Sequence, residues 1–504
     1  MRALTEDTDM LATTAHEIAR LTGGTLVGGA TGDEQVTGEA RIDSRTVIAG
    51  DLFCAFDGEN VDGHDYLEAS VQAGAVLCLV SRPPSDPVPA VLVPDVREAL
   101  STLARAQLER ARELNPQLRV LALTGSAGKT GTKDLLGVAL GSVGPTIAPV
   151  GSFNNELGLP LTVLRLDEDT RFLVLEMGAR GPGHLTHLTS IARPDLALVL
   201  NVGSAHLGEF GSVEAIAQAK GELVQALAPT GRAVLNAEDP RVAAMAALTE
   251  APTVTWGLDH GDVHTQDLRL DDDARVSFTL VVPEGLTRPD GTEVTAGSFP
   301  VRPDLLGEHQ AANVVAALTA AVLAGAEPDQ AVEALDGVRL ASGQRMEALR
   351  AGGVLVIDDA YNANPDSMRL ALKTLAHLGR GHRTIAVLGE MLELGDESIR
   401  LHDEIGRLAV RLNISQLIVV GDGAAPIHHG ASLEGSFGGE SMQVAAVDDA
   451  LAVLERTLAP GDVVLLKSSR DAGLRRLARP LVEHLGQRTE HDPGPHGQAA
   501  GGHA

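Results

Sequence analysis

The chain has 504 residues, of which 44% are hydrophobic, 21% charged and only 2% aromatic. That balance describes a soluble globular protein of two to four domains, with cores built from Ala, Val and Leu. A net charge of −28 excludes the broad basic face of a nucleic-acid binder, while leaving room for a local basic pocket that takes a small anion.

In chain order, Met1 to Met10 is acidic and lacks an apolar signal core. No apolar run approaches the roughly 18 residues of a membrane span. The two cysteines, Cys54 and Cys78, have no metal-ligand spacing and read as buried free thiols in a reducing compartment. A cytoplasmic protein with no membrane or nucleic-acid partner is expected. A first block, residues 13–116, holds short strands and turns, a strand at Val91–Pro94 and a helix at Val96–Leu114 that Asn115-Pro116 breaks.

A second block, residues 117–339, opens on the apolar strand Val120–Leu123. Further strands are expected at Phe172–Leu175, Leu196–Val202 and Ala233–Asn236, separated by helical stretches. That alternation predicts a parallel sheet covered on both faces. Thr253 to Arg302 alternates polar and apolar residues between Gly and Pro turns and reads as antiparallel strands, and Glu308 to Ala326 as a long Ala-rich helix. A third block, residues 340–486, repeats the strand–helix pattern, with strands at Val354–Ile357, Ile385–Leu388, Leu417–Val420 and Val463–Leu466. Residues 487–504 are rich in Gly, His, Pro and Gln and are expected to form a disordered tail.

The densest chemistry lies in Leu123-Thr124-Gly125-Ser126-Ala127-Gly128-Lys129-Thr130. A buried strand, a glycine-bounded turn and a helix start together make an anion site from backbone N–H groups and the helix dipole. Lys129 can reach terminal phosphates and the Thr130 hydroxyl can sit on Mg²⁺. Leu123 stands where the strict phosphate-loop pattern has glycine, so the match is to the shorter Thr-Gly-x-x-Gly-Lys-Thr form. The competing reading is an ordinary strand-to-helix turn.

Other polar residues sit where parallel strands end, which is where such sheets bind ligands. Glu176 is either a Mg²⁺ carboxylate or a surface loop acid. His206 is a metal ligand, a phosphate contact or a structural histidine. Lys220 is a solvated charge or, beside Mg²⁺ and phosphates, an amine that takes up CO₂ as a carbamate. Asn154 and Asn155 either bind a polar ligand or form a turn.

In this order, the loop, Asn154-Asn155-Glu156-Leu157-Gly158, Glu176-Met177-Gly178-Ala179, Ala205-His206-Leu207 and Ala219-Lys220-Gly221-Glu222 resemble the Mur ligases. These are ATP-dependent amide-bond ligases of peptidoglycan precursor synthesis. Gly307-Glu308-His309-Gln310-x-x-Asn313 is similar to the family's ATP-contacting helix, so His309 and Asn313 are implied at the nucleotide. Asp43-Ser44-Arg45, Gly50-Asp51-Leu52-Phe53 and Asp62-Gly63-His64-Asp65 resemble the UDP-sugar domain of the murE/murF branch. Asp358-Asp359-Ala360-Tyr361-Asn362-Ala363-Asn364-Pro365-Asp366-Ser367-Met368, Leu388-Gly389-Glu390-Met391-x-Glu393-Leu394-Gly395 with Ser398 and His402, and Lys467-Ser468-Ser469-Arg470 resemble the murF type. The Asp-Asn-Pro-Arg motif of the murE type is absent. Departures are Gly131 for a usual Thr, Gln310 for a usual Asn and His184 for a frequent Glu.

The resemblance implies a three-domain α/β architecture: an N-terminal UDP-MurNAc-peptide-binding domain, a central P-loop parallel-sheet ATPase domain and a Rossmann-like C-terminal domain. It implies a monomer that joins D-Ala-D-Ala to UDP-MurNAc-tripeptide through an acyl phosphate. Gly125, Ser126, Ala127, Gly128 and Lys129 would hold the phosphates, with Arg345 reaching them from the third block. Thr130 and Glu176 would hold one Mg²⁺, and His206 with carbamylated Lys220 a second. One of Asp358 and Asp359 would contact the ribose. Asn362, Asn364 and Ser367 would face the dipeptide, and Ser44 and Arg45 the uridine diphosphate. The alternatives are a sister ligase with another amine acceptor and a nucleotide-binding regulator without ligase chemistry. A translation-type GTPase would need an Asn-Lys-x-Asp motif, which is missing.

Overall fold

The computed structural model describes residues 10–58, 61–203, 207–435 and 440–491. At its centre lies the strand Arg119–Thr124, paired in parallel with Phe172–Glu176 on one side and Leu196–Val199 on the other. Thr146–Ile147, Arg232–Asn236 and Thr253–Trp256 complete a six-stranded, all-parallel sheet. The central strand is apolar at every position from Val120 to Leu123 because both of its faces are covered. Val120 and Ala122 join one core cluster and Leu121 and Leu123 another, as the two-residue period of a strand requires. The helices Lys129–Gly141 and His309–Ala324 pack on the second of these faces.

Thr253–Trp256 was expected among antiparallel strands. It instead forms the parallel edge of the central sheet, its alternate residues Val254 and Trp256 buried. The rest of that stretch is antiparallel, as expected: His264–Leu270, Val276–Val282 and Gly297–Val301 form a separate three-stranded sheet.

Helix Val96–Leu114 is capped by Asp95, whose carboxylate accepts from the N–H groups of Arg97 (2.7 Å) and Glu98 (3.1 Å). It buries Val96, Leu100, Leu103, Ala104, Leu108 and Ala111, one stripe at helical spacing. That stripe belongs to a core shared by the first and second blocks. The first block carries a five-stranded sheet of Thr25–Val27, Ala90–Leu92, Leu77–Val80, Leu52–Cys54 and Ala40–Arg41. Cys54 and Cys78 lie on neighbouring strands, free and buried, and burial pushes the Cys78 thiol up to about 12.

The third block is a six-stranded sheet in the order Glu347–Ala351, Val354–Asp358, Val463–Lys467, Thr384–Leu388, Gln416–Val420, Ser441–Val444. Only its first pair is antiparallel. Helix Ala478–His491 runs past 487, so the stretch expected to be a tail begins as a helix, and residues 492–504 lie outside the described residues. The carboxyl ends of the central strands face the third block across a cleft of about 410 Å³.

Candidate active site

The phosphate loop leaves the central strand at Thr124 and enters the helix at Lys129. Gly128 has φ +83°, and a Cβ there would lie 2.3 Å from Asn313 Oδ1. Glycine is thus needed for conformation and for space. The helix start has no side-chain cap, which leaves first-turn N–H groups for an anion. Asn201 grips the loop from the next strand: its Oδ1 accepts from Ser126 N (3.0 Å) and Ala127 N (2.9 Å), and its Nδ2 donates to Ala127 O (3.1 Å). Lys129 Nζ donates to Gly125 O at 2.8 Å. Burial pulls the Lys129 pKa down, and Glu176 opposes that shift. Gly128→Ala is expected to weaken ADP binding about tenfold or more in calorimetry, because left-handed strain alone costs about 1–2 kcal/mol and Asn313 must also move.

Glu176 ends its strand, buried, and every hydrogen bond to its carboxylate has a named donor. Thr130 Oγ1 donates to Oε2 at 2.7 Å, and Ser152 Oγ and Asn154 Nδ2 donate to Oε1 at 2.8 and 2.7 Å. The surface-loop reading of Glu176 is excluded by its 3% exposure. The Thr130 and Glu176 oxygens converge at nearly the separation, about 2.9 Å, that adjacent ligands of an octahedral Mg²⁺ adopt. This hard-oxygen pair fits Mg²⁺. Asn154 orients Glu176, whereas Asn155 Oδ1 accepts from Leu157 N and Gly158 N and so shapes the turn into the helix Gly158–Val163.

Lys220 lies on the helix Val213–Gln225 and is only 3% exposed, which excludes a solvated charge. Among the described residues its Nζ has no hydrogen-bond or ion-pair partner. Burial, aided by the Lys129 charge, holds its pKa well below the ordinary lysine value, so the amine is driven toward its neutral form. A buried amine pushed toward its neutral form fits CO₂ uptake. Two residues on, Glu222 accepts from Gly183 N (2.6 Å) and Thr186 N (2.9 Å), anchoring the helix His184–Ile191 to this one. His206 lies outside the described residues.

Burial takes His309 down to about 4, which leaves a neutral ring, with Asp359 opposing the shift. Gln310 accepts from Asn313 Nδ2 at 2.9 Å and thereby fixes the amide that abuts Gly128. The guanidinium of Arg345 sits 4.1 Å above the Tyr361 ring, and its buried Nε has no hydrogen-bond partner among the described residues. Both neighbours of Arg345 are non-glycine residues in the left-handed region, Gln344 at φ +61° and Met346 at φ +55°, so the backbone presenting it is strained.

Asp359 lines the cleft, where Lys467 Nζ donates to its Oδ2 at 2.6 Å. Asp358 does not line the cleft; burial lifts it to about 6. Asn364 caps the helix Pro365–Leu378 in a reciprocal pair with Ser367, so both have local structural duties while lining the cleft with Asn362.

The cleft therefore gathers Ser126 to Thr130, Asn154, Asn155, Glu176, His309, Asn313, Arg345, Asp359, Asn362, Asn364 and Ser367. Gly125 and Lys220 are buried and do not line it. Ser44 and Arg45 are not part of it; they start a short 3₁₀ turn in the first block, where exposed Arg45 pairs with Asp43 at 2.6 Å. The residues that sequence reasoning left without a role are Ser152, Asn201, Tyr361 and Lys467. Tyr361 and Lys467 fall inside quoted motifs, Asn201 lies at the end of an expected strand, and nothing in the residue pattern marks Ser152.

Three family models match in order: Mur ligase family, catalytic domain (39–108), Mur ligase middle domain (123–321) and Mur ligase, glutamate ligase domain (344–470). The UDP-N-acetylmuramoyl-tripeptide–D-alanyl-D-alanine ligase of Mycobacterium bovis is 44% identical over 94% of this chain and 98% of its own length. A crystal structure of MurF from Acinetobacter baumannii superposes with a TM-score of 0.81 at 30% identity, covering 94% of this chain and 100% of that one. MurF from Thermotoga maritima in complex with ADP gives 0.74 at 28% identity, over 89% and 98%. With its cleft, its domain matches and its near-full-length likeness to these proteins, the chain belongs to the Mur ligase family.

Proposed function

We propose that this chain uses ATP to join D-alanyl-D-alanine to UDP-N-acetylmuramoyl-tripeptide, forming the pentapeptide precursor of peptidoglycan. The observation that carries the reading is one cleft holding both an uncapped phosphate loop and the Thr130–Glu176 oxygen pair, walled by Arg345 and Asp359 of the third block. The ADP in the Thermotoga maritima relative supports a nucleotide in that place. The three blocks at 13–116, 117–339 and 340–486 serve as binding, ATPase and acceptor units of a cytoplasmic monomer.

The first step brings two anions together, a peptide carboxylate and the γ-phosphate, so positioning and charge neutralisation dominate. Lys129 and the loop N–H groups hold the β- and γ-phosphates. Thr130 and Glu176 would hold one Mg²⁺, and His206 with carbamylated Lys220 a second, and ions held there would supply charge neutralisation for the two anions. Arg345 adds a fixed cation across the cleft. Asp359, kept in place by Lys467, receives the ribose. Asn362, Asn364 and Ser367 line the side from which the dipeptide amine attacks the acyl phosphate and displaces phosphate. Ser44 and Arg45 hold the uridine diphosphate end of the long donor.

Phosphate release with UDP-tripeptide and Mg-ATP, assayed with a panel of amines, tests the reading. D-Ala-D-Ala alone should support turnover and yield a pentapeptide mass. Turnover with meso-diaminopimelate or glutamate in its place would move the chain to a sister activity.

A further inference from the structure

The helix that follows the phosphate loop buries an ion pair that the chemistry above does not use. Lys133 and Asp134 are 1% and 5% exposed, and Lys133 Nζ lies 2.8 Å from Asp134 Oδ1. Neither residue lines the cleft. Lys133 also donates to Pro149 O and, at 3.0 Å, to Gly151 O, so its three protons all have acceptors. Asp134 Oδ2 accepts from Ser342 N at 2.9 Å. The circuit closes where Gly151 N donates to Ser342 Oγ at 3.0 Å.

The two ends of this circuit lie beside segments that carry Glu176's partner and Arg345. Gly151 is held on both its N–H and its C=O, and the next residue, Ser152, donates to Glu176. Ser342 stands three residues before Arg345, which reaches the cleft from the strained segment described above. A buried ion pair is a poor way to gain stability, since desolvation offsets its attraction. An apolar pair would pack there as well. It could not grip two carbonyls of one loop and an amide of another segment.

We propose that Lys133 and Asp134 are a positioning pair. Through Gly151 and Ser342 they set Glu176 and Arg345 in register, so that the seating of the third block and the orientation of the metal carboxylate depend on each other. The inference rests on the reading of Glu176 as a Mg²⁺ ligand.

Calorimetric titration of the full chain with ADP, with and without Mg²⁺, tests it. Ser342→Ala removes one hydroxyl and keeps the amide that donates to Asp134. ADP affinity without Mg²⁺ should change little, because the phosphate loop is intact. The gain in affinity on adding Mg²⁺ should shrink about tenfold, the scale of losses on removing outer-shell partners of a metal ligand. The double variant Lys133→Met with Asp134→Asn leaves no unpaired charge, retains an acceptor for Ser342 N and should lose the same gain. A merely structural role would lower the melting temperature and weaken both titrations alike. A wild-type gain that survives in Ser342→Ala, or equal losses with and without Mg²⁺, would overturn the inference alone. A wild-type chain whose ADP affinity ignores Mg²⁺ would overturn the Glu176 reading and the inference with it.

Discussion

Lys129→Ala is expected to abolish ATP-dependent ligation while the chain keeps its fold. Among the described residues the hydrogen bond of Lys129 Nζ goes to Gly125 O within its own loop, so truncation breaks no hydrogen bond between separate elements. The group it removes is a buried cation that lines the cleft. Its burial lowers its pKa because water is excluded, and the same exclusion strengthens its pull on phosphate oxygens. Losing a charge-assisted hydrogen bond costs about 1.5–3 kcal/mol in binding. Losing a donor aimed at charge that develops in the transition state costs about 10² to 10³ in rate. Phosphate release should fall by at least that much with both substrates saturating, and the melting temperature should stay close to that of the parent. ADP formation at the parental rate would show that the loop does not carry the transferred phosphate.

The architecture was largely legible because it rests on local patterns. Continuous apolar runs marked the parallel strands, and Asn115-Pro116 marked the end of helix Val96–Leu114, whereas its Asp95 cap appears only in the structure. The misplaced strand Thr253–Trp256 shows where such reading ends. Its alternation suits an antiparallel ribbon and the half-covered edge of a parallel sheet equally well, and only pairing with Arg232–Asn236 decides. The loop, Glu176 and Lys220 were legible as motifs. The partners that give them their chemistry were not, because hydrogen bonds between distant segments leave no spacing in the sequence. Ser152 is an unremarkable loop serine until Glu176 lies 2.8 Å away. The choice between Asp358 and Asp359 depends on which faces the cleft, and two neighbouring acids at a strand end point in opposite directions. Lys220 carried two readings in the sequence; burial removed the commoner of them.

That burial makes the second large effect specific. Lys220→Ala and Lys220→Arg should both reduce ligation by about 10² or more if the side chain serves as an anionic metal ligand, because a missing ligand and a misplaced cation are equally unable to neutralise Mg²⁺. Were the lysine a cation for phosphate, arginine would keep much of the rate. The pKa shift fixes the pH side of the effect. A lysine pKa held well below its usual value favours the neutral amine, and only the neutral amine takes up CO₂. Acidification through that lowered pKa returns the proton, so the modification and the activity should both fall on the acid limb and recover on raising the pH. Removing dissolved CO₂ should act like acid at constant pH, and bicarbonate should reverse it. With ¹³C-bicarbonate, a carbamate carbon signal should be seen in the parent chain and be absent in Lys220→Arg. Full ligation by Lys220→Arg without that signal would leave Lys220 as an ordinary buried cation.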